Sequence, residues 1–169
     1  MRLRFFLPAF AFAAAATSSW AVSGNDMVRV EVRPKSESDR KDIKGTSVDT
    51  KSQKLTLEII LSGKPKNPET RVVKWIIFGK DLKTNNIAPL ESGEEPLNLA
   101  TGGQQKFESK VASSTSTPEY VIVKGKGGKD SKRVAAEGSK ILGYGVQVKE
   151  GDTVLGEAFS SDTLKQQMK

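Results

Sequence analysis

The chain of 169 residues contains neither cysteine nor histidine. Those two absences exclude several chemistries at once. Without His there is no Ser-His-Asp triad, and without both there is no Cys-His pair and no zinc site of the usual ligand kind. No disulfide can form, so any core must hold by packing alone. Aromatic residues are scarce, at 7%. Long apolar runs are missing too. The run from Phe5 to Ala16 has twelve residues and contains Pro8, whereas a helix that crosses a bilayer needs about 20.

That short run reads as an address. Arg2 and Arg4 precede it as a basic n-region, and Ser19-Trp20-Ala21 supplies small residues at a cleavage site. The expectation is a secretory leader over residues 1–21, with cleavage after Ala21. Ala14-Ala15-Ala16 offers a second small-x-small site. No Cys follows the run to carry a lipid, and Val22-Ser23-Gly24-Asn25-Asp26 turns polar at once, unlike a pilin leader. The mature product is expected over residues 22–169, exported to the periplasm or cell surface, without a transmembrane segment. Removing Arg2 and Arg4 lowers the formal charge from +7 to +5, since residues 1–21 hold no acid.

The mature chain alternates with a period of two. Val28, Val30 and Val32 alternate with charged residues, and Leu55, Leu57, Ile59 and Leu61 repeat the pattern. Val73, Trp75 and Ile77 share one face of the next run, with Val72, Ile76 and Phe78 on the other, which marks a central strand. Phe107 to Val111 and Tyr120 to Val123 are weaker runs. Leu142, Tyr144, Val146 and Val148 lead through Glu150-Gly151-Asp152 into Thr153 to Phe159, a hairpin signature. Gly143 and Gly145 bracket Tyr144 and predict a bulge or close packing. Six or seven strands result, with no clear strand over 34–53 and 80–103, where short edge strands can hide, a polar loop over 112–118, and single helical turns at 134–137 and 162–166. Half-wet strands must bury their apolar faces against a second sheet. The fold class is therefore all-β, a disulfide-free sandwich, with a barrel as the alternative.

Candidate chemistry is sparse. Lys124-Gly125-Lys126-Gly127-Gly128-Lys129-Asp130-Ser131-Lys132-Arg133 holds five cations and one anion. Gly-rich backbone and clustered cations suit an anionic partner, so Lys124, Lys126, Lys129, Lys132 and Arg133 are the candidate binding residues for an anionic glycan or lipid headgroup. A solvated hairpin loop explains the same residues. No aromatic is interleaved to stack bases, which argues against nucleic acid. The spacing of a P-loop is absent. Glu91, Glu94 and Glu95, and Glu37, Asp39 and Asp42, form two acidic segments read as loops. Paired carboxylates can hydrolyse glycosides or bind calcium, but neither segment has calcium-loop spacing. Ser38-Asp39-Arg40-Lys41 matches S-x-x-K without its companion motifs. Trp75 is read as a core anchor. No cofactor or metal is expected, and no enzymatic activity.

Two segments carry a resemblance. Val73-Lys74-Trp75-Ile76-Ile77-Phe78-Gly79-Lys80-Asp81, followed by Gly143-Tyr144-Gly145-Val146-Gln147-Val148-Lys149-Glu150-Gly151-Asp152-Thr153-Val154, resembles a secreted bacterial immunoglobulin-like domain. More narrowly it is similar to small exported immunoglobulin-like proteins linked with type IV pilus gene clusters of gut Verrucomicrobia. The resemblance spans roughly residues 54 to 160 and carries over no catalytic residue. It implies an immunoglobulin-like sandwich that acts as a non-catalytic interaction module of the cell envelope, accessory to pilus assembly or adhesion, with an envelope or pilus-associated protein as partner. β-Edge pairing or loop contact is the expected mode.

Overall fold

A computed structural model describes residues 27–43, 46, 48–63, 71–99, 103–124 and 130–168. The candidate leader, residues 1–21, and Lys126 and Lys129 lie outside them. The described residues form an antiparallel all-β sandwich. Its first sheet places β1 (Arg29–Asp42) beside β2 (Asp49–Ser62), with β5 (Gln104–Glu108) and β6 (Ala112–Thr117) on the other side of β2. Its second sheet runs β4 (Ile87–Pro96), β3 (Val72–Asp81), β9 (Glu137–Glu150), β10 (Thr153–Phe159). β7 (Tyr120–Lys124) and β8 (Asp130–Val134) form a separate hairpin between β6 and β9. β9 joins the layers, because Glu137 and Gly138 pair with β6 while the strand from Ser139 onward pairs with β3.

The alternation seen in the sequence selects the inner faces. Leu57, Ile59 and Leu61 of β2 face Val73, Trp75 and Ile77 of β3 and Val146 and Val148 of β9 across the sandwich, all within one core cluster. Each such side chain contributes roughly 1.5–3 kcal/mol on burial. Trp75 is 2% exposed, as expected of an anchor. Its indole lies over Gly93, its partner on β4, where an added Cβ would come within 2.5 Å of the ring. The β9–β10 hairpin turns at Gly151-Asp152 with Gly151 at φ 58, and Leu142 is skipped in the β3–β9 register, the bulge predicted beside Gly143. The tail helix α1 (Asp162–Lys165) forms where a helical turn was expected. Leu164 and Met168 cover Phe78 on the outer face of the second sheet.

β5 and β6 are one strand broken at Ser109. The Leu57 N–H donates to the Ser109 hydroxyl at 2.9 Å, and Ser109 N–H donates to the Leu57 carbonyl at 2.9 Å. A side chain thus replaces one ladder bond, and β6 resumes along β2 at Ala112 and reaches β9 at Ser116.

Several sequence expectations fail, for a common reason. The described residues form ten strands. Strands occupy 34–42, 49–53 and 87–96, where the sequence shows none clearly, and 112–117, which it reads as a loop, while 134–137 holds no helical turn. β1 from Arg33 to Asp42 is exposed on both faces, so it carries no apolar alternation to betray it. β4 is an edge strand with Ala88, Pro89 and most of its acidic residues exposed.

Candidate functional site

Of the candidate binding residues, Lys124, Lys132 and Arg133 are among the described residues. Lys124 ends β7, and Lys132 and Arg133 lie exposed on β8, opposite Ile122 and Val121. Being consecutive in a strand, Lys132 and Arg133 point to opposite faces of the ribbon. Arg133 is ion-paired with Glu119, which lowers its value as an anion receptor. Lys132 has no carboxylate partner among the described residues. β7 and β8 pair as a hairpin.

Convergence occurs at its base. The hairpin leaves the sandwich through Pro118 and returns through Ala135-Ala136 to β9. Here the first sheet overhangs the second, and its inner face changes character row by row. Leu55 pairs with Ser36 and Ala112. The next row is Ser38, Gln53, Ser114, and the last is Arg40, Lys51, Ser116. Residues paired across antiparallel strands share a face. The inner surface therefore grades from apolar to hydroxyl and amide, then to cationic. Arg40, Lys51 and Ser116 line a cleft of about 440 Å³ together with Lys140 of β9, Leu82, Val48, Pro118 and one acid, Asp49. None of Arg40, Lys51 and Lys140 has a carboxylate within 4.0 Å among the described residues.

A second feature is the open edge of β1. Leu57 spends both backbone groups on Ser109, on the side of β2 away from β1. Its partner Pro34 is therefore a non-hydrogen-bonded position and turns its own backbone outward. Ser36, Ser38, Arg40 and Asp42 follow the same parity. The Asp39 carboxylate accepts the Arg40 N–H at 2.9 Å, which agrees with that direction. At the other end of the strand, Val28 N–H donates to Leu155 at 3.1 Å and closes the sandwich onto β10. Among the described residues, no strand pairs with that side of β1 from Pro34 onward.

The remaining charges are engaged or scattered. Glu58 is 8% exposed and receives Lys106 at 2.9 Å, with Lys35 and Arg33 at 3.5 and 3.8 Å. The Lys106 hydrogen bond, against a smaller desolvation cost, holds its carboxyl below the ordinary range. The hydrogen bond to Glu108 raises Lys35. In the β3–β4 turn, Asp81 accepts the Thr84 N–H, the Thr84 hydroxyl and the Lys83 N–H, which lowers its pKa. Burial raises Tyr144. Glu94 pairs with Lys74 at 2.8 Å. Glu91 and Glu95 are separated by four strand residues, about 13 Å, wider than the roughly 5–9.5 Å of glycosidase pairs. Ser38 and Lys41 lie on opposite faces of β1, so the S-x-x-K match brings nothing together. Among the described residues, no group of three His, Cys, Asp or Glu side chains is placed to hold a metal, and no helix is long and apolar enough to cross a membrane. A cavity of about 540 Å³ lies beside α1, but its Lys165 is held by Glu157.

Sequence reasoning missed both features. The cleft residues lie on β1, β2 and β9, up to 100 positions apart (Arg40 to Lys140), and only the strand register brings them together. No protein-family model, curated protein or solved structure matches this chain.

Proposed function

We propose that the chain is an exported, non-catalytic interaction module of the cell envelope, accessory to type IV pilus assembly or adhesion, and that it receives an extended segment of a partner protein along β1. The leader-like N-terminus and the resemblance support the setting. The open edge carries the mode: Ser36, Ser38 and Asp42 turn their backbone outward on a strand that nothing covers among the described residues. Main-chain bonds of this kind give affinity to strand addition, while alternate side chains give specificity. Pro34 sets one end of the usable edge, since it has no N–H to offer.

The test is a Ser38→Pro variant of the mature protein. Ser38 N–H points outward, so proline removes a donor from the edge without removing a bond to β2. Partner recovered from envelope extract is expected to fall at least about tenfold, the effect of roughly 1.4 kcal/mol. Hydrogen exchange at Ser36, Ser38 and Asp42 is expected to slow on binding. Equal recovery by Ser38→Pro, with those amides exchanging as fast as in the free protein, refutes edge pairing.

A further inference from the structure

We propose that the cleft under the overhang binds an acidic glycan, with Arg40, Lys51 and Lys140 receiving its carboxylate or sulfate groups. This site uses side chains on the inner face and is independent of the backbone edge above.

The first argument is the register. Arg40 and Lys51 are directly paired across β1 and β2, so two cations sit on one face. Like charges in that position destabilise a sheet. The sequence supplies acids next to them, since Asp42 is paired with Asp49 one row further on. Yet neither acid comes within 4.0 Å of Arg40 or Lys51. Among the described residues no carboxylate engages the two cations, which leaves them to an outside anion, and Lys140 joins them from the other sheet. Three cations against one acid leave the cleft lining at a net charge of +2.

The second argument is the polar surface behind the cations. Ser38, Gln53 and Ser114 form the adjoining row of the same face. Ser114 is 7% exposed, and its hydroxyl has no hydrogen-bond partner. A buried hydroxyl without a partner costs about 1–3 kcal/mol. That row lies behind the cleft, and Ser116 puts a hydroxyl into the lining itself beside the cations, which suits a sugar acid carrying both charge and hydroxyl groups. The cleft volume of about 440 Å³ is within the roughly 300–1,000 Å³ of small-ligand sites. Val48, Leu82 and Pro118 also line the cleft, so an anionic lipid is the competing occupant, and the vesicle arm of the test separates the two.

Calorimetric titration of the mature protein tests this with short oligogalacturonates, neutral dextran and phosphatidylglycerol vesicles as probes. Oligogalacturonate is expected to bind, weakening as salt rises from about 50 to 200 mM as exposed ion pairs are screened, and dextran is expected not to bind. The triple variant Arg40→Gln/Lys51→Gln/Lys140→Gln is expected to lose at least about tenfold in affinity, while Lys132→Gln/Arg133→Gln stays within about twofold. Lys51→Glu separates folding from binding. It replaces a like-charge pair with an attractive one, so the melting temperature should rise while oligogalacturonate binding is lost. Undiminished binding by the triple variant, binding to vesicles alone, no binding to oligogalacturonate, or a lower melting temperature for Lys51→Glu overturns the proposal.

Discussion

Removing the Ser109 hydroxyl should destabilise the sandwich by an amount the structure fixes. Leu57 is fully buried, and its N–H has the Ser109 oxygen as acceptor at 2.9 Å. In Ser109→Ala the N–H stays where water cannot reach it. A buried donor left without an acceptor costs about 1–3 kcal/mol. The hydroxyl also donates to the Lys110 carbonyl at 2.9 Å, but Lys110 is exposed and its carbonyl can turn to water. The net effect is therefore close to the donor's own cost, about 2 kcal/mol. For a domain of this size, 1 kcal/mol moves the melting temperature by about 2–4 °C. Ser109→Ala should melt about 4–8 °C below the parent, with an unchanged urea m-value because the folded core is intact. Ser109→Thr keeps the oxygen and should recover most of the loss. A melting temperature for Ser109→Ala within about 1 °C of the parent refutes the account of the broken strand.

Two other outcomes follow from the surface charges and the edge. Glu58 has a lowered pKa, so the stability it contributes is present above the ordinary carboxylate range and lost as pH falls through its lowered value. Melting of the parent between about pH 5 and pH 2 should therefore fall more steeply than melting of Glu58→Gln, and parallel curves would contradict the Lys106–Glu58 assignment. Pro34→Thr restores an outward N–H at the end of the exposed edge, lengthens it, and should promote self-association. Sedimentation showing the variant as monomeric as the parent at every concentration would mean that Pro34 does not guard the edge.

The central sandwich was legible because its residues obey one rule. Val73, Trp75 and Ile77 alternate, and Glu150-Gly151-Asp152 carries turn chemistry, so local sequence and global fold agree. The overhang was not legible for the opposite reason. Between Arg33 and Asp42 neither face is buried, and hydrophobic periodicity has nothing to report. The same loss hid β6, whose inner residues Ser114 and Ser116 are buried but polar. For the site, composition pointed to the lysines of the β7–β8 hairpin, the densest cationic run. The cations that converge are instead single residues on separate strands. Their approach depends on which residue of β1 stands opposite which residue of β2, and a shift of one position would have turned Arg40 to the other face.

The passage of β9 from one layer to the other has a mechanical consequence. A sandwich of two unlinked sheets resists sliding only through the packing between them. Here the fourteen residues from Glu137 to Glu150 run unbroken from the pairing with β6 to the pairing with β10. Tension applied to the first sheet, for instance by a partner pulling on β1, crosses the ladders to β6 and enters β9 at Glu137 and Gly138, from where the backbone carries it into the second sheet. The layers are loaded together, and the domain resists shear as one body.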